Sequence, residues 1–197
     1  MERCRELLQN EEPLSKLELA PPEEANLRGF QFLTQKPAMV VSNVAESHIG
    51  QGLAALEQRA QDRGLPYLEI CAQVELEIAK LDEAEQAVFL QEYGIAQPAR
   101  DRYIRCAYEM LDIVTFYTCN EQEAHAWTVP RGTPAVKAAG RVHSDMERGF
   151  IRAEVVSIED LEAAGSLAAC RSAGTLRLEG RDYPVADGDL IQFRFSV

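Results

Sequence analysis

The chain has 197 residues, of which 46% are hydrophobic and 26% are charged, and its formal net charge is −12. These values are typical of a globular protein with a buried core, and the length allows one large domain or two small ones. The net charge disfavours general attraction to nucleic acid or anionic membranes. No apolar run approaches the roughly 20 residues of a membrane-spanning helix, so no membrane partner is expected.

The five cysteines do not form a recognisable framework. They are odd in number, widely separated and never spaced as CxxC, which disfavours disulfide scaffolds and zinc ribbons. The simplest interpretation is that each one is a small buried hydrophobe. The N-terminal sequence MERCRELLQNEE also lacks the apolar centre of a secretory signal, and these features together predict a cytoplasmic protein.

The residues up to 111 predict alternating helices and buried strands. Continuous apolar runs at 38–44 and 65–73 are typical of strands in a parallel sheet. Helical patterns lie around and between these runs, at 2–9, 21–37, 49–64, 74–94 and 98–112. This order indicates an α/β fold with parallel strands.

From Ile113 onward the pattern is that of a small α+β module. Strands are predicted at 113–119, 124–130 and 150–157, with 120–123 as a hairpin loop. One helix is predicted over 132–149, with Thr133 as its N-cap residue. Its apolar stripe is Ala135, Ala138, Ala139, Val142 and Met146.

A final hairpin is predicted about an Asp187-Gly188 turn. The inward-facing residues of its last strand are Ile191, Phe193, Phe195 and Val197. The economical topology for these elements is a β-grasp fold wrapped on one helix.

Polar residues follow the first buried strand, in the sequence Asn43-Val44-Ala45-Glu46. Doubly wound α/β proteins bind ligands at the carboxyl ends of their strands. An asparagine amide both donates and accepts hydrogen bonds, so Asn43 suits contact with a base edge. Glu46 is longer than the Asp that accepts two guanine hydrogens, and Val44 replaces the usual stacking Lys, which disfavours guanine. An alternative is that Asn43 only caps the next helix.

Cys71-Ala72 ends the second buried strand and is the second candidate loop. Small residues there let backbone amides approach a base, although they also suit a tight turn. By contrast, the chain contains no Gly-Lys pair, and no Asp has Gly three residues later. Triphosphate affinity comes largely from a phosphate loop, its Lys and magnesium. We therefore expect weak nucleotide binding at most and no hydrolysis by these residues alone.

A locally basic segment lies at 131–152. It is either a solvated helix face or a surface that contacts RNA. The three histidines have no metal-binding spacing, so neither a metal site nor catalytic residues are predicted. Five bases against two acids give the segment a net charge of +3: Arg131, Lys137, Arg141, Arg148 and Arg152 against Asp145 and Glu147.

Three segments resemble one family: LRGFQFLTQKPAMVVSNVAES, AWTVPRGTPAVKAAGRVHSDMERGFIRAEV and EGRDYPVADGDLIQFRFSV. They are similar to the YchF or Obg-like ATPases of the translation-factor-related P-loop GTPase class, over nearly the whole chain from about Glu18. The resemblance implies three parts. These are a remnant of a helical insertion at 1–27, the end of the nucleotide-binding G domain at 28–111, and a TGS domain with a β-grasp fold at 112–197.

The resemblance also implies roles for the candidate residues. Family members carry Asn-x-x-Glu where GTPases carry Asn-Lys-x-Asp, and they prefer ATP to GTP, with magnesium in the full-length proteins. Asn43 and Glu46 would then contact adenine, Val44 would line the pocket, and Cys71-Ala72 would form the second base-side loop. Family members associate with ribosomes, so ribosomal RNA becomes the candidate partner of the basic segment.

Two functional interpretations are open. In the first, the chain is the C-terminal portion of a YchF-like ATP-binding protein and is catalytically silent alone, because it lacks the phosphate loop and switch segments. In the second, it is a standalone TGS module without catalysis that binds the ribosome or a protein partner.

Overall fold

A computed structural model describes residues 1–120 and 123–196 of the chain. The chain divides into two compact units, Met1–Met110 and Leu111–Val197, and each is described by itself. The assignment of residues 1–27 to a helical insertion stays a prediction.

The first unit combines helices with a two-stranded parallel sheet. Val40 lies opposite Tyr67 and Asn43 opposite Ile70 in the strand register, which confirms the predicted parallel pairing. The strands are β1 (Val40–Asn43) and β2 (Tyr67–Ile70). The helices are α1 (Glu2–Gln9), α2 (Pro21–Arg28), α3 (Ala54–Asp62), α4 (Ala72–Ile78), α5 (Glu83–Glu92) and α6 (Ala99–Met110).

Two predicted helices in this unit are shorter than the sequence pattern indicates. The helix that begins at Pro21 ends at Arg28 rather than near Pro37, and Gln31 has a φ of 52°, which no helix continues through. The predicted helix over 74–94 divides in two because Asp82 caps α5. Its carboxylate accepts a hydrogen bond from the Glu85 N–H at 2.9 Å.

The second unit contains a mixed five-stranded sheet in the order β4-β3-β7-β5-β6. β3 and β7 pair in parallel and the other pairs are antiparallel, which gives the predicted β-grasp-like topology. The strands are β3 (Ile113–Cys119), β4 (Ala124–Pro130), β5 (Phe150–Ser157), β6 (Arg177–Glu179) and β7 (Asp189–Phe195). The helices are α7 (Ala135–Val142), α8 (Ser144–Arg148), α9 (Ile158–Ala164) and α10 (Leu167–Ala173).

The predicted helix over 132–149 is interrupted at His143. The backbone of His143 is extended, and its Nδ1 accepts a hydrogen bond from the Asp145 N–H at 3.2 Å, so the ring caps α8. The N-cap residue of α7 is Pro134 and not Thr133, whose hydroxyl instead donates to the Pro130 carbonyl at 2.6 Å.

The predicted final hairpin is wrong. The Asp187-Gly188 turn is bound to β3, because Asp187 Oδ1 accepts a hydrogen bond from the Thr115 N–H at 2.7 Å and the Gly188 N–H donates to the Thr115 carbonyl at 2.9 Å. β5 lies between β7 and β6 in the sheet. β6, α9 and α10 were not predicted from the sequence. Residues 121 and 122 of the predicted hairpin loop, and Val197, lie outside the described residues.

Both faces of the sheet in the second unit carry buried residues. The predicted stripe is confirmed on one face, where Ala135, Ala138 and Ala139 of α7 are fully buried. On the other face, α9 and α10 cover a smaller cluster that includes Val156 and Cys170. The expectation that cysteines are buried fails at Cys119, which is exposed, and holds at Cys4, Cys71 and Cys170. Within the described ranges no helix has the length and apolarity to cross a membrane.

Gly149 allows β5 and β7 to approach closely. Its carbonyl accepts a hydrogen bond from the Ser196 N–H at 2.9 Å, and a Cβ added there would lie 2.0 Å from the Ser196 carbonyl oxygen. We therefore expect Gly149→Ala to lower the free energy of unfolding by about 1–3 kcal/mol, as overpacking does. Chemical denaturation measures this loss. Gly180→Ala is the control because its added Cβ meets no atom within 4 Å, and equal losses would contradict the assignment.

Candidate functional site

The two predicted base-side loops lie side by side in the first unit. Asn43 Oδ1 accepts a hydrogen bond from the Ala72 N–H at 3.0 Å, and the Val44 N–H donates to the Ile70 carbonyl at 2.8 Å. Because β1 and β2 run parallel, both strands end at the same edge of the sheet. The fold thus joins two sequence segments that are 29 residues apart.

The hydrogen bond to Ala72 defines what Asn43 does in the fold. Ala72 is the first residue of α4, so the Asn43 oxygen satisfies one N–H at that helix end. The capping alternative placed Asn43 at the next helix along the chain, whereas the structure places its oxygen at the start of α4. The Ala72 amide is occupied by this bond. The exposed Asn43 side chain keeps its Nδ2 group as a donor.

Glu46 is held by a residue that the sequence did not indicate. It begins a 3₁₀ turn, Glu46–His48, and its Oε1 accepts a hydrogen bond from the Tyr93 hydroxyl at 2.6 Å. This bond, with smaller effects of burial and nearby carboxylates, raises the pKa of Tyr93 to about 12. The phenol therefore keeps its proton at neutral pH, and Glu46 keeps one acceptor oxygen, Oε2, outside this bond.

An apolar cluster adjoins these polar groups through Val44 and Tyr93. Cys71, Val74 and Ile78 form a buried cluster, and Val44 and Tyr93 pack against it while partly exposed. Tyr93 also stacks on Phe89, with ring centroids 5.3 Å apart. Polar groups next to apolar and aromatic side chains suit a flat aromatic ligand with polar edges.

The residues of this site fit the base of a nucleotide and do not fit its phosphates. Asn43 Nδ2 supplies a donor and Glu46 Oε2 an acceptor for a base edge. In contrast, the described residues contain no group of three or more His, Cys, Asp or Glu side chains that could hold a metal ion. The chain also has no Gly-Lys pair, so it supplies no phosphate-loop lysine.

Three of the predicted basic residues are engaged in ion pairs within the second unit. Lys137 Nζ lies 2.7 Å from Glu147 Oε1, which links α7 to α8, and Arg148 pairs with Asp145 in its own helix. Arg131 Nε lies 2.9 Å from Asp112 Oδ1. Arg141 is exposed and forms no ion pair within the described part of the chain.

The fifth basic residue, Arg152, lies on the other face of the sheet. Side chains alternate along β5, and Ala153 packs in the core that contains the α7 stripe, so Arg152 projects away from α7. Its Cα partner on β7 is Arg194. The predicted basic segment is therefore divided between two surfaces.

Comparison with known proteins supports a family assignment. A family model described as "YchF-GTPase_C: Protein of unknown function (DUF933)" matches residues 113–196. The chain is 38% identical over 202 residues to the "Ribosome-binding ATPase YchF" of Bacillus subtilis (strain 168), and 39% identical over 199 residues to the protein of the same name from Escherichia coli O157:H7. The chain matches the C-terminal part of YchF proteins. Each match covers 100% of the chain and 55% of the relative, so the chain spans about half the length of these YchF proteins.

A solved structure supports the same fold. The YchF GTPase of Schizosaccharomyces pombe matches with a TM-score of 0.81 at 24% identity, over 98% of this chain and 53% of that one. The chain thus has the fold of the C-terminal part of a YchF protein, with parallel α/β strands followed by a β-grasp-like domain.

The Tyr93–Glu46 contact predicts a measurable titration. Glu46→Gln removes the charge and the strong acceptor, so the pKa of Tyr93 should fall from about 12 toward 10. The folded-state pKa is raised, so the stabilisation by this contact is present below pH 10 and is lost as the pH rises from 10 to 12. NMR of tyrosine labelled with ¹³C at Cζ measures the pKa, and Tyr93→Phe assigns the signal.

Glu92→Gln provides the control for this titration. The Glu92 carboxylate acts on Tyr93 only through space, as a smaller cause, so its removal should lower the pKa much less. Equal shifts in the Glu46 and Glu92 variants would contradict a direct Tyr93–Glu46 hydrogen bond.

Proposed function

We propose that this chain is the part of a YchF-type ATPase that selects the nucleotide base and carries a ribosome-binding TGS domain. The observation that carries the proposal is that Asn43 and Glu46 lie where β1 ends and are held there by Ala72 and Tyr93, next to an apolar cluster that Val44 and Tyr93 pack against. The relatives named above are called ribosome-binding ATPases, which supports a ribosomal partner in the cytoplasm.

Adenine fits this edge better than guanine. Glu46 has one oxygen engaged by Tyr93, which leaves one acceptor for a ligand. The adenine amino group offers its hydrogen to a single acceptor, whereas guanine presents two adjacent donors that need both oxygens of a carboxylate. We therefore propose ATP rather than GTP as the nucleotide, with Val44 and Cys71 against the ring and Ala72 closing the second loop.

We expect no hydrolysis by these residues alone. Phosphoryl transfer depends on positioning and neutralising the phosphates, with a lysine and magnesium in P-loop proteins. The chain contains no phosphate-loop sequence, so magnesium and the phosphates would be held by other parts of a full-length YchF protein.

A second candidate function is favoured by one observation. Residues 111–197 form a compact unit with its own core, and the family model matches within that unit. This unit by itself would act as a TGS interaction module that binds the ribosome or a protein partner without using nucleotide.

Two substitutions at one position test base recognition. Asn43→Asp keeps the oxygen that binds Ala72 but removes the Nδ2 donor, while Asn43→Ala removes both. We expect each to weaken ATP binding by roughly tenfold, the effect of about one hydrogen bond, and only Asn43→Ala to loosen the loop. Titration with a fluorescent ATP analogue measures the affinity, and Asn10→Ala in the exposed turn after α1 is the control. Equal, weak ATP binding by all variants would contradict the proposal.

A charge reversal tests ribosome binding through the α7–α8 surface. Arg141→Glu with Arg148→Glu replaces two positive charges by two negative ones and should weaken co-sedimentation with purified bacterial ribosomes by at least roughly tenfold at low salt. The control is Arg59→Glu with Arg105→Glu, which makes the same charge change at exposed positions of the first unit. Unchanged binding in the first pair would remove this surface from the proposal.

A further inference from the structure

We propose that a second surface of this domain, on the sheet face opposite α7, binds the phosphate backbone of RNA. We call it the arginine face, and its residues are Arg152 of β5, Arg171 of α10 and Arg194 of β7. The inference rests on the proposed ribosome binding and assigns it a chemical contact that lies outside the α7–α8 surface.

Glu154 organises the arginine face. Arg194 donates to its two oxygens through Nε and Nη2, at 3.2 Å each, and Arg171 Nη2 donates at 3.1 Å. The Glu154 side chain is 14% exposed, and its pKa lies below the usual value, chiefly because of the Arg194 hydrogen bonds. An ionised carboxylate thus holds two guanidinium groups in place, while Arg171 and Arg194 stay 66% and 48% exposed.

Arg152 gives this cluster an excess of positive charge. It lies directly across from Arg194 in the β5–β7 register, and like charges in that position repel. Arg152 is exposed, and no described side chain forms an ion pair with it. Three guanidinium groups and one carboxylate carry a net charge of +2, on a chain whose total is −12. Among residues 1–120 and 123–196 no side chain forms an ion pair with Arg152, and a bound anion would balance this excess.

The geometry favours phosphate groups as that anion. The planar fork of a guanidinium matches phosphate oxygens two at a time. Because Glu154 holds Arg171 and Arg194 in fixed orientations, less rotamer freedom is lost when they bind a ligand. Gln192 Oε1 accepts a hydrogen bond from Arg194 Nη2 at 3.3 Å and adds an uncharged polar group. RNA is the polyanion of the proposed ribosomal partner and presents phosphates along an extended surface.

The test uses the full 197-residue chain and two substitutions together, Arg152→Ala and Arg171→Ala. Both residues are exposed, and Glu154 keeps Arg194 as a partner. Fluorescein-labelled RNA is titrated at several salt concentrations. We expect the affinity for RNA to fall by roughly tenfold at about 0.1 M salt. The slope of log K, the association constant, against log salt should decrease in magnitude by about two, one for each lost phosphate contact.

Three controls separate charge from folding. Arg152→Lys with Arg171→Lys keeps both charges and should keep the salt slope of the wild-type chain. Arg59→Ala with Arg105→Ala removes the same charge from the first unit and should bind as the wild-type chain does. Poly-L-glutamate, a polyanion without phosphates, should bind much more weakly than RNA.

The outcomes distinguish this inference from the proposed function. RNA binding that is unchanged in the Arg152/Arg171 double variant, or poly-L-glutamate binding as tight as RNA binding, would overturn the inference. If the wild-type chain binds ribosomes and the double variant binds them equally well, the inference also fails while the proposed function stands. If the wild-type chain does not sediment with ribosomes, the proposed function fails, and the RNA titration then decides the inference alone.

Discussion

Parallel strand pairing is the constraint on which both units depend. Parallel strands cannot be joined by a tight turn, so a long connection must separate them in the chain. In the first unit this pairing places the ends of β1 and β2 together, and the Asn43–Ala72 hydrogen bond closes that edge. In the second unit β3 pairs in parallel with the last strand, β7, so most of the module is the connection between them.

Carboxylates organise the candidate surfaces of this acidic chain. Glu46 accepts a hydrogen bond from Tyr93 with one oxygen, and its other oxygen lies outside this bond, whereas Glu154 engages both of its oxygens with arginines. In each case a hydrogen bond from the fold fixes the orientation of a charged group before any ligand arrives. Binding groups that are already oriented lose less conformational entropy on binding.

Local signals predicted many of the elements but not all of their limits. The stripe that includes Ala138 marks α7 correctly, because helix periodicity depends only on neighbouring residues. The break at His143 depends on a side chain that caps the following helix, which a periodic pattern does not reveal. The segments of α9 and α10 carry cap signals in Ser157 and Ser166 that could have indicated them.

The sequence by itself determined the family resemblance, the parallel α/β order and the candidate pair Asn43 and Glu46, since these depend on residue types at short spacings. Only the tertiary structure decided that Tyr93 holds Glu46, 47 residues away, and that Arg152 lies with Arg194 rather than with the other bases of its segment. The physical reason is that strand register and sheet face are set by long-range pairing. A short basic segment can therefore be divided between two surfaces when one of its residues lies on a strand.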